Sequence, residues 1–151
     1  RFVSDAEWPG MPIEMLEAFA ENLDFSIRST LQRFLGLQVR GLPESRALLS
    51  QMKAVLSDCE VAYEQVLKAG LKILKHSDLR TAIKQTKKPV LMILGEKDTL
   101  VPVAAGKAVQ QWAPKTKIHE IKGAGHVPFL THKQESVEII SNFINDDERC
   151  I

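Results

Sequence analysis

Two segments decide how this chain folds: Pro89-Val-Leu-Met-Ile-Leu-Gly-Glu-Lys-Asp98 and Ile118-His-Glu-Ile-Lys-Gly-Ala-Gly-His126-Val-Pro-Phe129. Val90 to Leu94 is a continuous apolar run, as expected for a strand buried on both faces, with Pro89 at its start, where a missing N–H does least harm. Lys117 to Ile121 reads as a second strand and Val103 to Trp112 as the helix between them. A strand, a loop with a carboxylate, a crossover helix, a second strand and a loop with an imidazole bring Asp98 and His126, 28 positions apart, to one edge of a parallel sheet. That is the acid and the base of a nucleophilic triad, with Glu96 as a competing carboxylate on the same turn.

Working outward, Gln134 to Ile144 closes the tail as a helix with Val137, Ile140 and Ile144 on one stripe. The first half is helical. Pro12 starts a helix carrying Met15, Leu16, Phe19, Ala20 and Leu23 on one face, and Asp24 caps a second carrying Ile27, Leu31, Phe34 and Leu35, slightly weakened by Gly36. Pro43 opens a third along Leu48, Leu49, Met52, Val55 and Leu56. Ser57-Asp-Cys-Glu60 reads as a capping box for a fourth through Val61, Ala62, Val66, Ala69 and Ile73. The predicted fold class is therefore α/β: a four-helix unit, residues 1–76, followed by a β-α-β-α tail of a parallel sheet, residues 77–151, with the boundary between Ser77 and Lys88.

Composition narrows the function classes. An apolar fraction of 44% suits a globular domain, and a net charge of +1 gives no reason to expect nucleic acid or a membrane surface as partner. Cys59 and Cys150 have no metal or redox spacing, which fits a reduced, cytoplasmic setting; Cys59 is read as structural rather than as a nucleophile. No stretch reaches the length of a membrane span, and no signal peptide is visible. The acid-then-histidine order is that of the α/β-hydrolases, where a serine precedes both on a Gly-x-Ser-x-Gly turn. No serine here has those flanking glycines, and the first residue is Arg1, so the chain is expected to be a piece of a longer polypeptide. A parallel sheet of only two strands calls for something to complete it: an N-terminal half, or a second copy of the chain.

Trp8-Pro9-Gly10, Arg33-Phe34-Leu35-Gly36-Leu37-Gln38, Gly70-Leu71-Lys72-Ile73-Leu74-Lys75 with Asp78-Leu79-Arg80, Leu100-Val101-Pro102 and His126-Val127-Pro128-Phe129 together resemble the bacterial pimeloyl-[acyl-carrier protein] methyl ester esterases, a family of α/β-hydrolases. The resemblance covers essentially the whole chain and corresponds to the family's helical cap and the C-terminal part of its hydrolase domain. It implies a cytoplasmic serine esterase of biotin synthesis that removes a methyl ester from pimeloyl carried on acyl carrier protein, with no cofactor and no metal. It implies Asp98, rather than Glu96, as the acid and His126 as the base; His76, His119 and His132 are read as structural or exposed. Phe34 and Leu37 match positions lining the family's acyl pocket, and Arg33 and Arg46 match arginines presented to the acidic carrier protein. Arg28 is offset by one residue from a family arginine, and Arg40 is off-pattern. The alternatives are another α/β-hydrolase, such as a different esterase or a C–C hydrolase, and a non-catalytic helical module that binds acyl carrier protein.

Overall fold

A computed structural model describes residues 1–60 and 62–148. Helices α1 (Ile13–Phe25), α2 (Ile27–Gln38), α3 (Ser45–Asp58), α4 (Glu64–His76) and α5 (Arg80–Gln85) precede β1 (Leu91–Gly95), α6 (Val103–Trp112), β2 (Lys117–Ile121), α7 (Pro128–Thr131) and α8 (Lys133–Glu148). β1 and β2 pair in parallel, Leu91 opposite Lys117 through Gly95 opposite Ile121, and α6 packs on both. Gly106 is what allows α6 so close, since a Cβ there would stand 2.3 Å from a Leu94 methyl. No described helix is long and apolar enough to cross a membrane.

Three apolar clusters join the two halves. Val3, Met11, Leu16 and Leu100 are buried together, so the first residues and α1 close over the loop that follows β1. Trp8 packs with Ala105 and Val109 of α6 and stacks on Trp112 at 5.6 Å, its indole N–H donating to the Arg1 carbonyl at 2.9 Å. Val39 and Leu42, in the α2–α3 connection, bury against Val127, with Leu48, Leu49 and Met52 of α3 behind them.

The helical half departs from expectation at its joints. Ser26, not Asp24, caps α2: it is extended, and its hydroxyl accepts from the Ser29 N–H at 3.3 Å, whereas Asp24 lies in the last turn of α1 and pairs with Lys68. The Ser57–Glu60 capping box does not form, because α3 runs on through Asp58 and the Ser57 hydroxyl turns back to the Lys53 carbonyl at 2.9 Å. α4 then starts only at Glu64, and Val61 lies outside the described residues, as does Cys150. Its expected stripe faces outward: Val66 and Ile73 are exposed, while Leu71 and Leu74, on the neighbouring stripe, meet the core. α4 carries two apolar stripes, and periodicity alone does not choose between them. α5 and α7 were not foreseen; α5 is one and a half turns of helix within the Ser77–Lys88 boundary.

In the tail, α6 and β2 have the expected bounds and β1 is displaced by one residue. Burial of β1 on both faces is not observed. Leu94 and Gly95 are buried but Leu91, Met92 and Ile93 only half so, because among the described residues the sheet has two strands. For the same reason the α8 stripe of Val137, Ile140 and Ile144 is exposed.

Candidate active site

Each candidate catalytic residue leaves the C-terminal end of a strand and is followed by a buried anchor. Gly95 to Asp98 forms a tight turn, the Asp98 N–H donating to the Gly95 carbonyl at 3.1 Å, and Leu100 just beyond is 1% exposed. β2 is followed by Gly123, whose φ of +74° is a left-handed conformation that few side chains tolerate, and Val127 buries directly after His126. The two loops touch along their backbones: Glu96 N–H donates to the Ile121 carbonyl at 3.1 Å and Lys97 N–H to the Ala124 carbonyl at 2.8 Å. Gly95 is required by this approach, since a Cβ there would lie 2.1 Å from the Gly125 carbonyl oxygen.

Within this frame Asp98 Oδ2 lies 2.9 Å from His126 Nδ1, with the aspartate side chain 5% exposed and the imidazole 32%. Asp98 Oδ1 accepts from the N–H groups of Leu100 at 2.8 Å and Val101 at 2.9 Å. Burial by itself pushes this carboxyl up, but the His126 contact and the two backbone donors outweigh it and hold Asp98 below the ordinary carboxylate value. An ionised Asp98 can only accept, so Nδ1 carries the proton and the lone pair of Nε2 is left for chemistry. Glu96, the competing carboxylate, takes a different partner: its Oε2 accepts the Gly123 N–H at 2.8 Å.

Sequence reasoning did not single out Gln38. Its main-chain carbonyl accepts the His126 N–H at 3.1 Å and lies where a Cβ on Gly125 would be, at 2.8 Å, so the end of α2 sits directly beneath the base. A backbone acceptor has no side-chain signature to read. Leu37 is its neighbour, and Phe34 lies one turn earlier; both pack against the Val3–Leu100 cluster. Phe34 meets Phe19 edge-on at 5.5 Å and helps line an apolar cavity of about 430 Å³ between α1, α2 and α4. Arg33 is exposed on α2 and its guanidinium donates to Asn22 Oδ1 at 3.3 Å; Arg46 is exposed on the first turn of α3. Arg28 instead donates to the Ser57 hydroxyl at 3.3 Å.

The other histidines are elsewhere engaged or outward. His76 and His119 are exposed, and His132 Nδ1 lies 2.9 Å from the Thr131 hydroxyl. Cys59 is exposed beyond α3. Among the described residues no three His, Cys, Asp or Glu side chains gather as a metal site.

The chain is similar to several known proteins. The chain is 38% identical over 144 residues to a pimeloyl-[acyl-carrier protein] methyl ester esterase of Methylococcus capsulatus, which covers 95% of this chain and 57% of that protein. A protein of the same name from Yersinia pseudotuberculosis is 32% identical over 98% of this chain and 57% of its own length. The chain thus spans little more than half of these relatives. In structure it is similar to an esterase from Exiguobacterium antarcticum, with a TM-score of 0.79 at 19% identity, covering 95% of this chain and 52% of that one. A bromoperoxidase from Bacillus anthracis gives 0.75 at 20% identity, over 86% and 48%, so these likenesses speak for the fold. The sequence model of the α/β-hydrolase fold matches residues 5–133, the span that holds both strands, the Asp98 turn and the His126 loop, and the chain belongs to that family.

Proposed function

We propose that this chain supplies the acid and the base of a carboxylic-ester hydrolase that removes the methyl ester from pimeloyl-acyl carrier protein in the cytoplasm, a step of biotin synthesis. Residues 1–76 act as the cap and 77–151 as the C-terminal part of the catalytic core. The observation that carries the reading is the 2.9 Å hydrogen bond between Asp98 and His126 at adjacent strand ends. The substrate is inferred from the names of the relatives matched over 95% of this chain or more. The nucleophilic serine and the oxyanion donors belong to residues outside these 151, since no serine here stands in Gly-x-Ser-x-Gly.

The chemistry follows from the geometry. Nε2 of His126 removes the serine proton as the hydroxyl attacks the ester carbonyl, and Asp98 stabilises the imidazolium that forms. The imidazolium then protonates the departing methoxide, releasing methanol, and a water activated in the same way hydrolyses the acyl-serine. Phe34 and Leu37 are assigned to the acyl chain, and Arg33 and Arg46, exposed on α2 and α3, to the acidic carrier protein.

The test is made on the full-length protein with two substrates, pimeloyl-carrier methyl ester and a small p-nitrophenyl ester. Both are expected to be cleaved. Arg33→Glu with Arg46→Glu is expected to weaken the first substrate while sparing the second, and more so at low salt, because charge reversal acts on encounter and not on bond cleavage. Cleavage of the small ester alone would replace the carrier-linked substrate by another ester. Failure on both, with carrier protein still bound, would favour a non-catalytic binding module.

A further inference from the structure

Two carboxylates leave the single turn Gly95–Asp98, and they reach the base loop at two points. Asp98 meets the imidazole of His126, and Glu96 accepts the main-chain N–H of Gly123 at 2.8 Å, three residues upstream. We propose that Glu96 is a positioning residue for His126, fixing the start of the Gly123–His126 loop so that the imidazole stands against Asp98. This rests on the esterase reading and adds to it a residue that touches neither substrate nor reacting atoms.

The loop explains why such a hold is needed. Gly123 is left-handed and Gly125 is pressed against the Gln38 carbonyl, so two of the four residues carrying the imidazole are glycines with wide conformational freedom. Main-chain bonds anchor its middle and end: Lys97 N–H to the Ala124 carbonyl, and His126 N–H to the Gln38 carbonyl. The Gly123 N–H at its start is held by Glu96. A carboxylate acceptor makes that bond charge-assisted, and it leaves the same turn as Asp98, so acid and base loops move as one unit. Glu96 is exposed, so its removal leaves no buried group unpaired and the variants are expected to fold.

The experiment uses the full-length protein with Glu96→Ala and Glu96→Gln. Glutamine keeps an oxygen at the same reach, so it can accept the same N–H; alanine cannot. Glu96→Ala is expected to lower kcat about ten- to a hundred-fold with KM unchanged, the size of effect that misplacing a reacting group produces, and Glu96→Gln to restore most of it. The Nδ1 proton of His126, followed by NMR, is expected to shift in Glu96→Ala and to stay near its wild-type position in Glu96→Gln. Wild-type kcat and ring-proton resonance in Glu96→Ala, or a Glu96→Gln variant no better than alanine, would overturn the proposal. If His126→Ala leaves turnover intact, the esterase reading fails separately, and the ring-proton comparison still decides whether Glu96 positions the imidazole.

Discussion

Asp98 has three acceptor contacts in one side chain: the His126 imidazole and the N–H groups of Leu100 and Val101. Their combined pull outweighs burial and leaves the folded carboxyl more acidic than the unfolded one. A carboxyl shifted in that direction contributes stability above its unfolded pKa, about 3.9, and loses it as pH falls through the lower folded value. Asp98→Asn is therefore expected to destabilise the protein by about 1–3 kcal/mol at neutral pH, in the range of hydrogen bonds to a charged group, and by less below about pH 4. Urea unfolding at both pH values checks this; an equal loss at each would mean that ionisation of Asp98 contributes nothing. In the full-length protein, His126→Ala and Asp98→Asn are each expected to slow ester cleavage by about 10⁴-fold, a loss typical of a disabled triad. Near-normal turnover in a folded variant would remove that residue from the mechanism. This pair was legible because both partners are side chains of the right type at the right spacing. What was not legible is the surrounding contact set: Gln38 meets the His126 loop through its carbonyl, and although the family resemblance already preferred Asp98 as the acid, nothing in the sequence told that Glu96 would accept the Gly123 N–H.

Among the elements, the tail was readable because a strand flanked by Pro89 and a tight turn has few alternatives, and α6 and β2 have the bounds their patterns implied. The joints of the helical half were not. Ser57-Asp-Cys-Glu60 satisfies the capping-box pattern, yet α3 runs through its first two residues, since a hydroxyl can equally turn back onto its own helix. Trp8 shows how a short segment can bind the halves together. Residues near it form only isolated bridges, Val3 with Met11 and Asp5 with Trp8, so its place depends on packing rather than on a ladder. Its indole is 5% exposed against α6 and Trp112, and the Lys84 ammonium lies 4.8 Å from the Trp112 ring. Trp8→Ala is expected to cost about 3–5 kcal/mol, as for other buried aromatics truncated to alanine. A loss under about 1 kcal/mol in denaturant titration would show that the segment is held by the ion pairs of Arg1 with Asp78 and of Asp5 with Arg80, and not by Trp8.

At the scale of the whole molecule, the described residues leave large apolar side chains and one strand edge uncovered. Val137, Ile140 and Ile144 of α8 are 54%, 42% and 52% exposed, and Phe129 and Leu130 of α7 are 58% and 51% exposed. Among the described residues β1 has a strand neighbour only in β2, which leaves its other edge without a strand partner beside half-buried Leu91 and Ile93. Scattered apolar side chains on a surface are ordinary, but an apolar helix stripe and an open parallel edge are each features that water disfavours. A two-stranded sheet gains little stability by itself, so pairing the open edge and covering the stripe both favour association. The 151-residue chain is therefore expected to self-associate, or to hold a complementary segment of an α/β-hydrolase core where one is supplied. Sedimentation at low micromolar concentration should show a mass that rises with concentration, and Val137→Glu with Ile140→Glu should reduce the association without unfolding α8, because both positions already face outward. A monomer at every concentration, with slow amide exchange along Leu91 to Gly95, would mean that the helices of the first half protect the sheet unaided and that the exposed stripe has no partner to seek.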